Sequence, residues 1–110
     1  MTKLYGLKNC DTCRKARKAL EAAGHVVNFV DVRDNPPPDE VLSHWLDQFG
    51  PALLNTRSTT WRGLTDDERQ AEPLDLLQQH PTLMKRPVIE HDGAVHLGWG
   101  KPVQATLGVS

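Results

Sequence analysis

Apolar and polar positions along the chain follow two rhythms, and each change of rhythm marks an element. Lys3 to Leu7 is a short apolar run that reads as a strand. Lys8, Asn9, Cys10 and Asp11 form a turn. From Thr12 the apolar spacing becomes three and four: Cys13, Ala16, Leu20 and Ala23 fall on one helical face, and Gly24 supplies the stop. His25 to Val32 is rich in valine and reads as a second strand. Strand, helix and strand within about 30 residues is the βαβ pattern, which makes the two strands parallel and the crossover right-handed.

The short run Pro36-Pro37-Pro38 reads as an extended connector ending just before a helix. That helix is expected over 39–49, where Val41, Leu42, Trp45, Leu46 and Phe49 make an apolar stripe, the first turn is acidic and Gly50 follows. Residues 55–63 are polar, with Thr56, Ser58, Thr59 and Thr60, and read as a loop or short irregular helix. Residues 65–70 and 74–80 read as two short helices divided by Pro73. Pro87 to His91 is a strand, Asp92-Gly93 is a tight hairpin turn because both positions favour positive φ, and Ala94 to Leu97 returns. Residues 101–107 suit a last short helix. A parallel pair joined to an antiparallel hairpin predicts an α/β, thioredoxin-like fold: a four-stranded mixed sheet in a single domain spanning 1–110, with a central all-helical insertion at about 36–80.

Composition narrows the function. The chain has 110 residues, enough for one core, with 13 basic and 14 acidic side chains and a formal net charge of -1. That balance gives no reason to expect direct nucleic-acid binding, which usually brings a basic excess. The opening MTKLYGLKN has no long apolar run or small-residue cleavage site, and no stretch approaches the roughly 18 apolar residues of a membrane span. The expectation is a cytoplasmic protein without a membrane partner. In that reducing compartment, two cysteines suit catalysis, redox sensing or metal binding better than a structural disulfide.

The chemical signal is Cys10-Asp11-Thr12-Cys13 where a strand gives way to a helix. Thiolate, not thiol, is the nucleophile. A helix N-terminus offers free N–H donors and the positive end of the helix dipole, which favour the anion. Lys8, Arg14, Lys15, Arg17 and Lys18 are expected to help, and Asp11 to oppose. Cys10 is expected to be the exposed, reactive thiol. Cys13, one turn on, either resolves a mixed disulfide or sulfenic acid on Cys10 or is a small apolar residue of the buried stripe. Zinc is a third alternative, but His25, His44, His80, His91 and His96 form no close pair after the cysteines, so no metal is expected. Asn9 and Thr12, beside Cys10, are candidate substrate-binding residues. So are Arg86-Pro87, at the entrance to the third strand, and Arg57 in the threonine-rich loop, since a guanidinium fork suits carboxylates and oxyanions.

Three segments, LYGLKNCDTCRKAR, LLNTRSTTWRGL and HPTLMKRPVIEHDG followed by LGW, resemble the glutaredoxin-linked arsenate reductase family. This group includes ArsC, Spx and the YffB-type proteins, and the chain looks most like the last. The resemblance covers nearly the whole chain. It implies a thioredoxin-like fold with a helical insert, Cys10 as the catalytic cysteine, Arg86 as an oxyanion-binding arginine, Pro87 as a cis-proline facing the thiol, and Arg57 in a segment typical of YffB-type members. Arsenate reductases of the family carry two further arginines. Here one position aligns with Asn55, and the other falls in Leu97-Gly98-Trp99-Gly100, which has no arginine. The expected function is therefore a thiol-dependent reductase acting through Cys10, with glutathione as co-substrate or glutaredoxin as partner and no bound cofactor. Its substrate would be a small thiol, disulfide or oxyanion. The alternative is an Spx-like redox-sensing regulator that binds RNA polymerase, and arsenate reduction stands third.

Overall fold

The structure is a computed structural model that describes residues 2–109. The chain forms two compact units. One combines residues 2–31 with 86–109, and the other is the intervening stretch 32–85.

The first unit is built on a four-stranded sheet. β1 (Thr2–Gly6) pairs in parallel with β2 (Val27–Asp31), in the register Thr2 to Val27 through Gly6 to Asp31. On its other side β1 pairs antiparallel with β3 (Val88–His91), which pairs antiparallel with β4 (Ala94–Leu97). The order is β2-β1-β3-β4, the mixed sheet of a thioredoxin-like fold. β2 is shorter than the valine-rich run suggested because a five-residue β1 offers it only five partners. His25 and Val26 lie outside the strand, although the Val26 carbonyl still accepts from the Thr2 amide at 3.2 Å. His25 instead bonds the Thr2 hydroxyl (2.9 Å) and the Leu107 carbonyl (2.7 Å). At the hairpin, Asp92 (φ 49°) and Gly93 (φ 80°) both take the left-handed conformation that their sequence suggested.

α1 (Asp11–Ala22) crosses between β1 and β2, and α6 (Lys101–Thr106) follows β4. Cys13, Ala16 and Leu20 of α1 are buried with Leu4, Ile89 and Leu107. Val27, Phe29, Trp99, Val103 and Val109 pack around them, half-buried. A side chain such as Leu20 contributes about 2 kcal/mol by leaving water. Ala23, expected on the buried stripe, is exposed because the helix ends at Ala22 and Ala23 is its cap.

The second unit is helical and locally specified. α2 (Asp39–Phe49) has Pro38 as its N-cap, and Gly50 at φ 60° ends it. Its stripe buries only Leu42 and Trp45 fully. A 3-10 turn at Gly50–Leu53 leads to α3 (Thr59–Arg62), whose N-cap Ser58 accepts a bond from the Trp61 amide at 3.1 Å. α4 (Asp66–Arg69) begins with a capping box: the Thr65 hydroxyl accepts from the Glu68 amide, and the Glu68 carboxylate accepts from the Thr65 amide. That bonding holds the Glu68 carboxyl below its ordinary range. Pro73 does not divide two helices from outside. It opens α5 (Pro73–Gln79), where its missing N–H costs nothing. After a 3-10 turn at Pro81–Leu83, the chain closes on itself through a bridge between Leu54 and Met84. The Asn55 amide bonds the Leu83 carbonyl at 2.8 Å, and the Lys85 amide bonds that of Leu53 at 2.7 Å.

Candidate functional site

Cys10 is the N-cap of α1, in extended backbone at φ -91°, ψ 118°. The turn before it is held at two points. Its amide bonds the Leu7 carbonyl at 3.1 Å, and the Lys8 amide donates to the Asp31 carboxylate at 2.9 Å. Asp31 is almost fully buried at the end of β2. A carboxylate in that setting fixes the loop that presents the thiol, and sequence reasoning did not single it out. The available signal was an acidic residue closing a valine-rich strand.

Cys10 is half-buried rather than exposed, because its side chain lies against the core cluster around Leu4 and Cys13. Burial is the largest single influence on its ionisation and works against it. The opposing influences together win, and the thiol sits below its ordinary range. They are the Cys13 amide, the Cys13 thiol as a donor, the Arg86 guanidinium and the Thr12 amide. The Cys13 and Thr12 amides, unpaired at the start of the helix, face the sulfur as donors to its anion. Arg86, rather than the α1 cations expected to help, is the cation that acts on the thiol. Arg14 is paired with Asp11, and Arg17 lies over the Phe29 ring at 5.5 Å, with Glu21 at 3.8 Å.

Cys13 is fully buried, and burial pushes its thiol up to about 12. The Leu7 amide is the next influence and pulls it down, the bond to Cys10 and the Cys10 charge add to the rise, and Arg86 opposes it least. β1 passes close behind this sulfur. A Cβ built at Gly6 would stand 2.4 Å from Cys13 Sγ, so only glycine fits there.

The Arg86–Pro87 peptide is cis, and Pro87 is fully buried while Arg86 is half-exposed. The Pro87 carbonyl accepts from the Gly98 amide at 2.8 Å. Trp99, in the stretch where arsenate reductases carry an arginine, packs against the core cluster. Asn9 and Thr12 are exposed on either side of Cys10. Cys10, Cys13, Arg86, Pro87, Asn9 and Thr12 all belong to the first unit, and of these Cys13, Thr12 and Arg86 act directly on the Cys10 thiol. Arg57 belongs to the second unit, where it is exposed and lines an open groove of about 600 Å³ with Pro51, Leu54, Asn55, Thr56 and Lys85. The Asn55 side chain accepts from the Arg57 amide at 3.1 Å.

Helix-terminal thiol, cis-proline and mixed sheet together define an α/β protein of thioredoxin-like architecture. Residues 5–102 match the model of the ArsC family, and the chain belongs to that family. An uncharacterised protein of Haemophilus influenzae is 37% identical over 106 residues, 92% of this chain and 93% of that one. The global transcriptional regulator Spx of Streptococcus pneumoniae is 29% identical, covering 92% of this chain and 80% of its own. A solved structure of a YFFB protein superposes with a TM-score of 0.90 at 29% identity, covering 99% of this chain and all of that one. An arsenate reductase (ArsC) related protein from Brucella melitensis gives 0.73 at 37% identity, over 94% and 90% of the two chains.

Proposed function

We propose that this ArsC-family protein is a thiol-dependent reductase in which Cys10 is the nucleophile and glutathione or a glutaredoxin returns it to the thiol. The observation that carries this reading is the placement of Cys10 at the N-cap of α1, where amides and Arg86 hold its pKa down against burial. The Cys10 thiolate attacks one sulfur of a disulfide. A Cys10–substrate disulfide forms, the original S–S bond breaks, and the other substrate sulfur leaves as a thiolate. A glutathione thiolate then attacks the substrate sulfur of that disulfide, which frees Cys10.

Alternatively, Cys13 attacks Cys10, expels the substrate thiolate and gives a Cys10–Cys13 disulfide that two glutathione molecules reduce. Once Cys10 is in a mixed disulfide it carries no charge, and one cause of the high Cys13 pKa disappears. Burial remains, so the glutathione route is the faster one. Asn9, Thr12, Arg86 and the cis Pro87 would line the substrate's approach, with Arg86 holding a carboxylate or oxyanion. Arg57 is a second candidate for such a group. Arsenate is a poor candidate substrate, because Asn55 and the Leu97–Gly100 stretch lack the two further arginines of arsenate reductases.

Alkylation by iodoacetamide as a function of pH, with each cysteine mutated in turn, tests the reading. Cys10→Ser should abolish turnover and rapid alkylation, whereas Cys13→Ser should change only the release route. Full turnover by Cys10→Ser would overturn it. The Spx relative and the adjacent thiol pair favour a second reading, a redox-sensing regulator that binds RNA polymerase. Capture of polymerase that does not respond to oxidation of the protein would count against that one.

A further inference from the structure

The α1 cations do not tune the thiol, which raises the question of what else they do. Residues 1–31 and 86–110 hold eight Lys and Arg against five Asp and Glu, a net charge of +3 in a chain whose total is -1. Much of that excess lies on α1. Asp11, Arg14, Lys15 and Lys18 recur at three- and four-residue spacing, so they share one exposed face and line a shallow concavity of about 210 Å³. Cys10 is the N-cap of the same helix, four residues before Arg14, with its sulfur turned against the core cluster. Lys15 and Lys18 make no ion pair among the described residues. The Asp11–Arg14 pair is exposed, and such a pair is easily exchanged for another partner.

We propose that this face docks an acidic segment of a protein that carries its disulfide at Cys10, an inference that rests on Cys10 acting as the nucleophile. The track is too long for a free small thiol. Cys10 to Lys18 spans about 12 Å at the rise of an α-helix. An extended peptide covers that distance in about four residues. Acidic side chains after the substrate cysteine would then meet Arg14, Lys15 and Lys18 in turn, while the Cys10 thiolate attacks the cystine sulfur and the second substrate sulfur leaves as a thiolate. Arg86 acts on the sulfur itself, whereas the lysines, absent from the groups that act on the thiol, act on what approaches.

The test measures mixed-disulfide formation at Cys10 with cystine peptides whose neighbouring residues are glutamates, glutamines or lysines, at about 10 mM and about 500 mM salt. Dividing each rate by that of the glutamine peptide removes any change in the thiol itself. The glutamate peptide should lead and the lysine peptide trail at low salt, with both differences shrinking at high salt. Lys15→Glu/Lys18→Glu should lower the glutamate-to-glutamine ratio roughly ten-fold at low salt. Lys15→Gln/Lys18→Gln should lower it less, in the same direction. Dithiobis-nitrobenzoate, a small anionic disulfide, should lose only about two-fold, because it cannot span the track.

An equal loss for the small anion would overturn docking in favour of a general field. Slowing that grows with protein concentration would do so in favour of a second copy, whose residues 32–85 are acidic. A reactive Cys10 with no charge preference overturns this inference alone. A Cys10 inert to all the peptides overturns the reductase reading and this inference together.

Discussion

The two units reach their structures by opposite means. Residues 32–85 are assembled from short helices whose ends are written locally: Pro38 before α2, Gly50 after it, Ser58 before α3, the Thr65–Glu68 box on α4 and Pro73 opening α5. Residues 2–31 and 86–109 form a sheet whose central strands, β1 and β3, come from opposite ends of the chain. Charge divides in the same way. The helical unit holds five basic and nine acidic side chains, net -4, against +3 for the sheet unit. Both cysteines and the cis Arg86–Pro87 bond belong to the unit built from distant pieces. The difference teaches that the thiol's environment is a product of long-range assembly, while the helical unit could be read residue by residue.

That contrast can be broken by mutation. The largest effect should come from Gly6→Ala, which drives a methyl into Cys13 Sγ from a strand that pairs on both sides. Overpacking of this kind should cost about 3 kcal/mol in urea unfolding, and a cost under 1 kcal/mol would show that β1 is free to move away from α1.

Alkaline pH gives the next effect. Cys13 ionises near 12 when folded and at about 8.5 when unfolded, so the folded state binds the extra proton between those values. Stability should therefore fall as pH rises through that window, by up to about 1.4 kcal/mol per pH unit from Cys13, and Cys13→Ala should remove that contribution, leaving above about pH 10 the fall due to the Tyr5 hydroxyl, which burial and its bond to Glu90 push up. Cys10 has the opposite sign. Its lowered pKa adds stability that is fully present above the unfolded value and is lost as pH falls through the folded one. Comparing wild type with Cys13→Ala isolates the buried thiol.

Arg86→Ala should raise the Cys10 pKa, read as an upward move in the midpoint of alkylation against pH. An unchanged midpoint would assign the effect to the amides and the Cys13 thiol alone. The smallest effect should come from the helical unit: Thr65→Ala removes one capping box and should cost about 1 kcal/mol. If it cost as much as Gly6→Ala, the contrast between the units would fail.

The pattern of elements was open to reading because it depends on neighbours in sequence. The bounds of α2 and β4 fall where the apolar stripe and the Asp92-Gly93 turn put them. Cys10 at the head of α1 follows from the stop of one rhythm and the start of another. Three corrections to the reading share one cause. Cys10 is half-buried, β2 is cut to the five residues that β1 can pair and Arg86 replaces the α1 cations as the tuning charge, and each depends on which elements meet in space. The Leu54–Met84 bridge was not foreseen for the same reason.

By itself, then, the sequence determined the order and kind of the helices and strands, the hairpin turn, and the presence of a thiol beside unpaired amides. Those features arise from backbone sterics and hydrogen bonds between near neighbours. Tertiary structure alone decided the strand order, the approach of Gly6 to Cys13, the clamp of Asp31 on the Lys8 amide and the action of Arg86 on Cys10. Burial and electrostatics act through space, so groups far apart in the chain set the state of one sulfur.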